Sequence, residues 1–200
     1  MQLINPLKYT YYIMRHGQST ANLDGLIVAK LENGILLSYG LTELGQEQSR
    51  KSAKLFLSEQ KKQEEFVIAY SPFSRAKETA LEIAKILQYS ELIETENLRE
   101  RDFGDLELMS NTNYNKFWVE DRANPDSKIF HSESPNEVLF RVTKAINDLE
   151  QKSFPAGQKI ILVSHGDTLQ ILQTAFMNIL VCKHNTDVLY LNNAEIRRMN

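Results

Sequence analysis

Tyr9-Thr10-Tyr11-Tyr12-Ile13-Met14, followed at once by Arg15-His16-Gly17, decides how this chain is read. An apolar, β-prone run of strand length stops abruptly at a cation, an imidazole and a glycine. The same kind of junction recurs where Phe66–Tyr70 runs into Ser71-Pro72-Phe73-Ser74-Arg75. It recurs again where Lys159–Val163 runs into Ser164-His165-Gly166. Each of these runs is short, rich in β-branched or aromatic residues, and followed by a helix-like pattern. Strands that alternate with helices specify a mostly parallel sheet, because a parallel pair needs a long crossover and a helix is the usual one.

The helices carry their own start signals. Thr42–Glu59 reads as a helix opened by a threonine cap. Pro72–Gln88 reads as another, with Ser71 as N-cap and Pro72 in its first position, and with Ala76, Ala80, Ile83, Ala84 and Leu87 along one face. Ser134–Gln151 combines a serine cap, Pro135 in the first turn and Glu137 closing a capping box, ahead of an apolar stripe of Val138, Val142, Ala145, Ile146 and Leu149. A last long helix is expected from about Asp167 to Ile179. Leu92–Thr95 is a less distinct strand. Val188–Leu191 and Ala194–Arg198 read as an edge strand or a hairpin around Asn192-Asn193. The expectation is an α/β fold: a three-layer sandwich, its mostly parallel central sheet covered by helices on both faces.

Nothing in the chain marks a domain boundary: there is no repeat, no low-complexity tract and no Pro/Gly/Ser-rich linker. One domain over residues 1–200 is therefore expected. Two stretches break the alternation and are read as cover segments over a site, at about 21–40 and 101–132. The second carries Tyr114, Phe117, Trp118 and Phe130, expected on a short helix. A satellite apolar cluster explains these aromatics equally well.

Hydrophobic residues make up 42% of the chain and charged residues 24%, ordinary values for a globular protein. With 23 basic against 26 acidic residues the formal charge is −3, and no basic run points to nucleic acid or to a membrane surface. An anionic substrate would need a local positive pocket. The lone Cys182 cannot form an internal disulfide and fits a reducing compartment. Met1-Gln2-Leu3-Ile4-Asn5-Pro6 lacks the basic and apolar regions of a signal peptide. The apolar segment Thr168–Cys182 is interrupted by Gln170, Gln173, Thr174 and Asn178 and is too short to span a bilayer. A cytoplasmic location is expected; oligomeric state is not legible.

His16, Arg75 and His165 each fall within a few residues of the carboxyl end of a strand. In open parallel sheets ligands bind at that edge, so the three should converge. Ser71-Pro72 and Gly166-Asp167 also begin helices, whose N-termini favour anions. Two guanidinium groups can grip phosphoryl oxygens bidentately, which lysine cannot do. A histidine acts as nucleophile only when neutral, and neighbouring cations favour that form. The leaving alkoxide would need a proton from a carboxyl of raised pKa. Glu100 is the choice, with Asp102, Asp105 and Asp167 as alternatives. Taken singly each piece is ordinary, since a glutamate beside arginines is most often a surface ion pair. Their combination reads as a phosphate cage.

These residues also carry a resemblance. Arg15-His16-Gly17-Gln18-Ser19-Thr20-Ala21-Asn22 resembles the signature of the histidine phosphatase superfamily, in its phosphoglycerate-mutase-like branch. Leu41–Gln48 resembles that family's first long helix, Ser71–Ala80 its second-arginine motif, Glu100–Gly104 its acid segment and Ser164–Asp167 its second-histidine motif. The blocks stand in family order from residue 11 to about 180. The resemblance implies that His16 is the phosphorylated nucleophile, and that Arg15, Arg75 and His165 form the phosphate shell. It further implies that Asn22 and the backbone near Gly166 add contacts, that Glu100 donates the proton, and that neither metal nor cofactor is needed. Gln18 stands where glutamate is common and is retained as a substrate-side residue. Leu106–Met109 and His131–Ser134 depart from the family pattern. His131 and His184 match no motif and are read as surface or core histidines.

The leading expectation is a metal-independent phosphatase that hydrolyses a small-molecule phosphomonoester through a phosphohistidine. The alternatives are a mutase that returns the phosphoryl group to substrate, and a non-catalytic protein that binds a phosphorylated ligand on the same fold. Mutases of the family generally carry an insertion before the acid segment. Here only a few residues separate Leu87 from Leu98, which favours hydrolysis.

Overall fold

The computed structural model describes residues 3–60 and 64–200. Met1 and Gln2, at the head of the N-terminal stretch read above, lie outside the described residues. Five strands form one sheet: β1 (Thr10–Arg15), β2 (Phe66–Tyr70), β3 (Tyr89–Glu94), β4 (Lys159–Ser164) and β5 (Ile196–Arg198), in the order β3-β2-β4-β1-β5. The first four are mutually parallel, and β5 closes the β1 edge antiparallel. The helices are α1 (Thr20–Leu23), α2 (Leu31–Gly34), α3 (Glu43–Ser58), α4 (Ser74–Ala84), α5 (Tyr114–Ala123), α6 (Pro135–Glu150) and α7 (Gly166–Met177).

Alternation along the strands sorts the core into two layers. Tyr11 and Ile13 of β1, Val67 and Ala69 of β2, and Ile160 and Leu162 of β4 face α6 and α7. Tyr12 and Met14, Phe66 and Ile68, and Ile161 and Val163 face the other way, against Ala53 and Phe56 of α3 and Ala76, Ala80 and Ile83 of α4. The expected three-layer sandwich is the one observed. Strands buried on both faces read as unbroken apolar runs, which is why β2 and β4 stood out in the sequence.

The capped helices begin where their signals lie. Thr42 Oγ1 accepts from Gly45 N at the start of α3, and Ser134 and Glu137 close a capping box on α6. The Ser71 cap is a correction. The helix starts at Ser74, two residues beyond the expected position, with no side-chain cap. Ser71 is buried, and its hydroxyl lies 2.8 Å from His165 Nε2 while accepting from Phe73 N. A hydroxyl held by the histidine that follows β4 is not free to cap. α7 ends at Met177, closed by Asn178 in the left-handed region (φ 54°) rather than at Ile179. At the C-terminus only Ile196–Arg198 pairs as a strand, so the hairpin through Val188–Leu191 does not form. β3 begins at Tyr89, earlier than the Leu92 expected.

The two stretches read above as cover segments are folded. Residues 20–40 hold α1, α2 and a 3₁₀ turn at Leu37–Tyr39. α5 carries Tyr114, Phe117 and Trp118, whereas Phe130 lies beyond it in a separate turn. Phe103 and Phe117 pack with Ile27 and Ala29 in a small cluster that joins the two segments. The satellite apolar cluster is thus present.

The turn after β1 lies directly on the first turn of α3. Thr42 N donates to Gln18 O at 3.0 Å, and Gln18 N donates to Gln48 Oε1 at 2.9 Å. Gly17 and Gly45 face each other there, and a Cβ on Gly45 would drive into the Gln18 carbonyl. Backbone on both sides leaves nothing that can swing aside. Gly45→Ala should therefore lower stability by about 1–3 kcal/mol. The measurement is the urea midpoint at unchanged m. Glu47→Ala, on the exposed face of the same helix, should change it by less than about 0.5 kcal/mol.

Candidate active site

Parallel register delivers the site. Arg15 pairs with Ser164 and Tyr70 with Val163, so β1 and β4 end level and β2 ends one residue short of them. The next residues, His16, Ser71 and His165, therefore stand side by side at one sheet edge. The imidazoles of His16 and His165 are 5.2 Å apart, centroid to centroid. Before them lies a cavity of about 290 Å³, lined among others by Arg15, His16, Asn22, Arg75, Glu100, Gly166 and Asp167. That volume is at the lower end for ligand pockets.

His16 is buried and its tautomer is set by geometry. Nδ1 lies 2.7 Å from the Gly17 carbonyl oxygen, which can only accept, so Nδ1 carries the proton and Nε2 presents a lone pair. Arg75 Nε donates to that lone pair at 3.2 Å. Burial, then the charges of Arg75 and Arg15, hold the imidazole well below its usual pKa. It is neutral across the physiological range. The backbone is fixed as firmly: His16 N donates to Ser164 O, Gly17 N to Thr79 Oγ1, and Asn193 Nδ2 to His16 O.

The guanidinium groups are held by carbonyls, with donors to spare. Arg75 Nη2 donates to Val28 O at 2.8 Å, and Arg15 Nη1 to Leu191 O at 3.2 Å beneath the Tyr190 ring. Arg75 Nη1 and Arg15 Nε are buried without a partner. Unpaired buried donors are costly, and two cations that both keep one open describe an anion site. His165 stands one layer behind the cavity wall, its Nε2 on Ser71 Oγ and its Nδ1 buried without a partner. Burial and the Arg75 charge hold it neutral too.

Glu100 is buried, not a surface partner of its neighbouring arginines. Its Oε1 accepts from Arg101 N at 2.9 Å and from Thr168 Oγ1 at 3.0 Å, so Oε2 is the oxygen left to meet a ligand. Burial first, and the Asp167 charge second, raise its pKa, against the pull of Arg75. Asp167 behaves in the opposite way. Burial would raise it, but His184, Arg101 and Trp118 together hold it far below the carboxylate range. Arg101 Nη1 is 3.3 Å from Asp167 Oδ2, and Trp118 Nε1 donates to Oδ1 at 3.0 Å. Two carboxyls on one cavity are thereby split into a protonatable one and an ionised one. Asp102 and Asp105 do not reach the cavity: Asp102 caps Gly104 N, and Asp105 pairs with His131 in an exposed turn.

Asn22 belongs to the cavity wall. Its Oδ1 accepts from Ser19 N and Asn193 Nδ2, which leaves the amide hydrogens to a ligand. Gly166 contributes the first turn of α7, with Tyr190 packed so closely that a Cβ would strike its hydroxyl. Gln18 is not brought to the site, because its amide oxygen accepts from Thr42 Oγ1 at 2.9 Å on the α3 side. Sequence reasoning missed Tyr190, Asn111 and the positioning residue Asn193, which lie in irregular segments without periodic signal. It also missed the buried set around His184. Arg101 pairs bidentately with Asp121 at 2.6 and 2.8 Å, and His184 Nε2 sits 3.6 Å from Asp121 and 3.7 Å from Asp167.

Among the described residues no group of three or more His, Cys, Asp or Glu side chains is placed to hold a metal ion, and no helix is long and apolar enough to cross a membrane. The fold matches that of a mycobacterial glucosyl-3-phosphoglycerate phosphatase, with a TM-score of 0.77 at 20% identity over 94% of this chain and 91% of that one. In sequence the chain is 30% identical to the metal-independent phosphoserine phosphatase of Arabidopsis thaliana, over 80% of its own length and 65% of that protein's. It is 28% identical to the 2,3-bisphosphoglycerate-dependent phosphoglycerate mutase of Parvibaculum lavamentivorans, over 80% and 76%. The model of the histidine phosphatase superfamily, branch 1, matches residues 11–199. With the paired histidines, the two open guanidinium groups and the buried glutamate at one sheet edge, the chain belongs to the histidine phosphatase superfamily.

Proposed function

We propose that the protein is a metal-independent phosphomonoesterase, one domain with one site, acting on a small phosphate ester in the cytoplasm. The observation that carries this reading is the pairing of a neutral His16, its Nε2 lone pair toward Arg75, with a protonatable Glu100 on the same cavity. A phosphoryl group held by Arg75 Nη1 and Arg15 Nε, with Asn22 and Gly166 beside it, would sit in front of Nε2. Arg75 then turns its Nε donor from the imidazole to a phosphoryl oxygen, which frees the lone pair.

Nε2 attacks phosphorus as the ester P–O bond breaks. The Glu100 proton passes to the departing oxygen, giving a neutral alcohol and a Glu100 carboxylate. The imidazolium so formed keeps its Nδ1 proton on the Gly17 carbonyl. Water then attacks the phosphohistidine, Glu100 takes its proton, and the P–N bond breaks to return neutral His16 and inorganic phosphate. The charge on the transferring oxygens is met by fixed guanidinium groups rather than by reorganising water.

A mutase would share the first half of this cycle and return the phosphoryl group to substrate. The short passage from β3 to Glu100, a single 3₁₀ turn at Glu96–Leu98, favours hydrolysis because it carries no insertion over the cavity. Phosphate release from 3-phosphoglycerate, against its conversion to 2-phosphoglycerate, separates the two.

His16→Ala should abolish turnover of p-nitrophenyl phosphate, with no phosphoryl group trapped on the protein by a denaturing alkaline quench; substantial residual hydrolysis would remove His16 from its role. Glu100→Gln should slow alkyl phosphates by about 10²–10⁴-fold and aryl phosphates much less, since a phenolate leaves with less protonation. The pH dependence follows with a definite sign. Glu100 works protonated and its pKa is raised, so wild-type kcat on alkyl esters falls as pH rises through that raised value. Glu100→Gln should lose that limb of the profile, and its persistence would assign the proton to another group.

A further inference from the structure

The wall opposite the two arginines is built for a particular kind of alcohol. Among the described residues lining the cavity the only lysine or arginine side chains are Arg15 and Arg75, and each keeps one buried, unpaired donor. Both are used once a single phosphoryl group is bound. The rest of the wall offers no cation to a second anionic group. It offers instead Tyr114, Trp118 and Tyr190, the aliphatic Leu26 and Val28, the amide of Asn111, and the Asp167 carboxylate. Trp118 spends its only N–H on Asp167, so it offers the cavity an apolar ring and not a donor. Tyr114 lies nearly parallel to Trp118, with centroids 5.9 Å apart and planes at 19°. Tyr190 is kept over Arg15, with the Arg15 guanidinium carbon 4.8 Å from the ring centroid.

We propose, on the basis of the phosphomonoesterase reading above, that the site takes phosphate esters whose alcohol half has no second anionic group and lays a flat apolar face on Trp118, Tyr114 and Tyr190. A carboxylate or second phosphate on the alcohol would lose its hydration without gaining a cation, and would face Asp167. A planar group would gain edge or stacked contacts with three rings.

The test compares kcat/KM for three primary alkyl phosphates, so that leaving-group protonation is nearly common to all. Glycerol 3-phosphate and 3-phosphoglycerate differ at one carbon, hydroxymethyl against carboxylate. 2-Phenylethyl phosphate supplies the flat face. The uncharged glycerol ester should exceed 3-phosphoglycerate by about tenfold or more, the size of one uncompensated like-charge contact at a partly solvated site. The phenylethyl ester should exceed glycerol 3-phosphate by about two- to tenfold. Tyr190→Leu should shrink that second ratio, because any effect on Arg15 acts on both esters alike.

Hydrolysis of 3-phosphoglycerate as fast as glycerol 3-phosphate overturns the charge selection and leaves the phosphatase reading intact. A phenylethyl ester no better than the glycerol ester, or a ratio untouched in Tyr190→Leu, overturns the aromatic selection. If wild type releases no phosphate from any of these esters or from p-nitrophenyl phosphate, the phosphatase reading fails, and the inference with it.

Discussion

The parallel pairing of β1 with β4 is the constraint from which the rest of the molecule follows. It sets residue 15 beside 164 and residue 14 beside 163, and β4 sets residue 70 beside 163 in turn. Three chain segments distant in sequence are thereby made to turn out of the sheet at the same level. A slip of one residue would send each side chain to the opposite face and unmake both core layers. The register is therefore held by the whole apolar content of the sheet, and the positions of His16 and His165 inherit that strength. Little of the geometry at the cavity has to be stabilised locally.

What is stabilised locally is charge. Arg75, Arg101 and Arg141 are all buried, and each is met by carbonyls or carboxylates. Arg141 ties Asn97, Arg99 and Glu100 carbonyl oxygens to Glu133, so the segment that carries Glu100 is clamped from the α6 side. Arg101 reaches the other way, to Asp121 on α5 and Asp167 on α7. Removing one partner from such a pair strands a charge, which costs about 3–5 kcal/mol. Glu100 thus sits between two arginine-centred networks that fix its backbone and shape its surroundings. Neither network touches the cavity through its own cation. Among the described residues the arginines that do so are Arg15 and Arg75.

Much of this was legible in the sequence, for reasons that differ by element. β1, β2 and β4 were readable because a doubly buried strand is an uninterrupted apolar run. α3 and α6 were readable because a hydroxyl cap is a local signal. The start of α4 was not, since Ser71 has a partner ninety-four residues away, just beyond β4, and no local rule sees that contact. The same limit hid Asn193, Tyr190 and the buried ion set. Arg101, Asp121, Asp167 and His184 are ordinary charged residues in their own neighbourhoods and become a unit only when α5 and α7 meet. Gln18 was misplaced for the converse reason. Its position beside His16 in the chain suggested the cavity, but the turn at Gly17 points it toward α3.

Asn193 gives the assembly a temporal side. The carbonyl of His16 accepts from the Asn193 amide and from Ala194 N, so the turn bearing the imidazole is finished by residues near the far end of the chain. During synthesis the first strand leaves the ribosome long before its neighbours β4 and β5 exist. A nascent chain therefore holds Arg15 and His16 without the cage around them. Competence for chemistry arrives late and all at once, as a property of the finished fold rather than of any fragment.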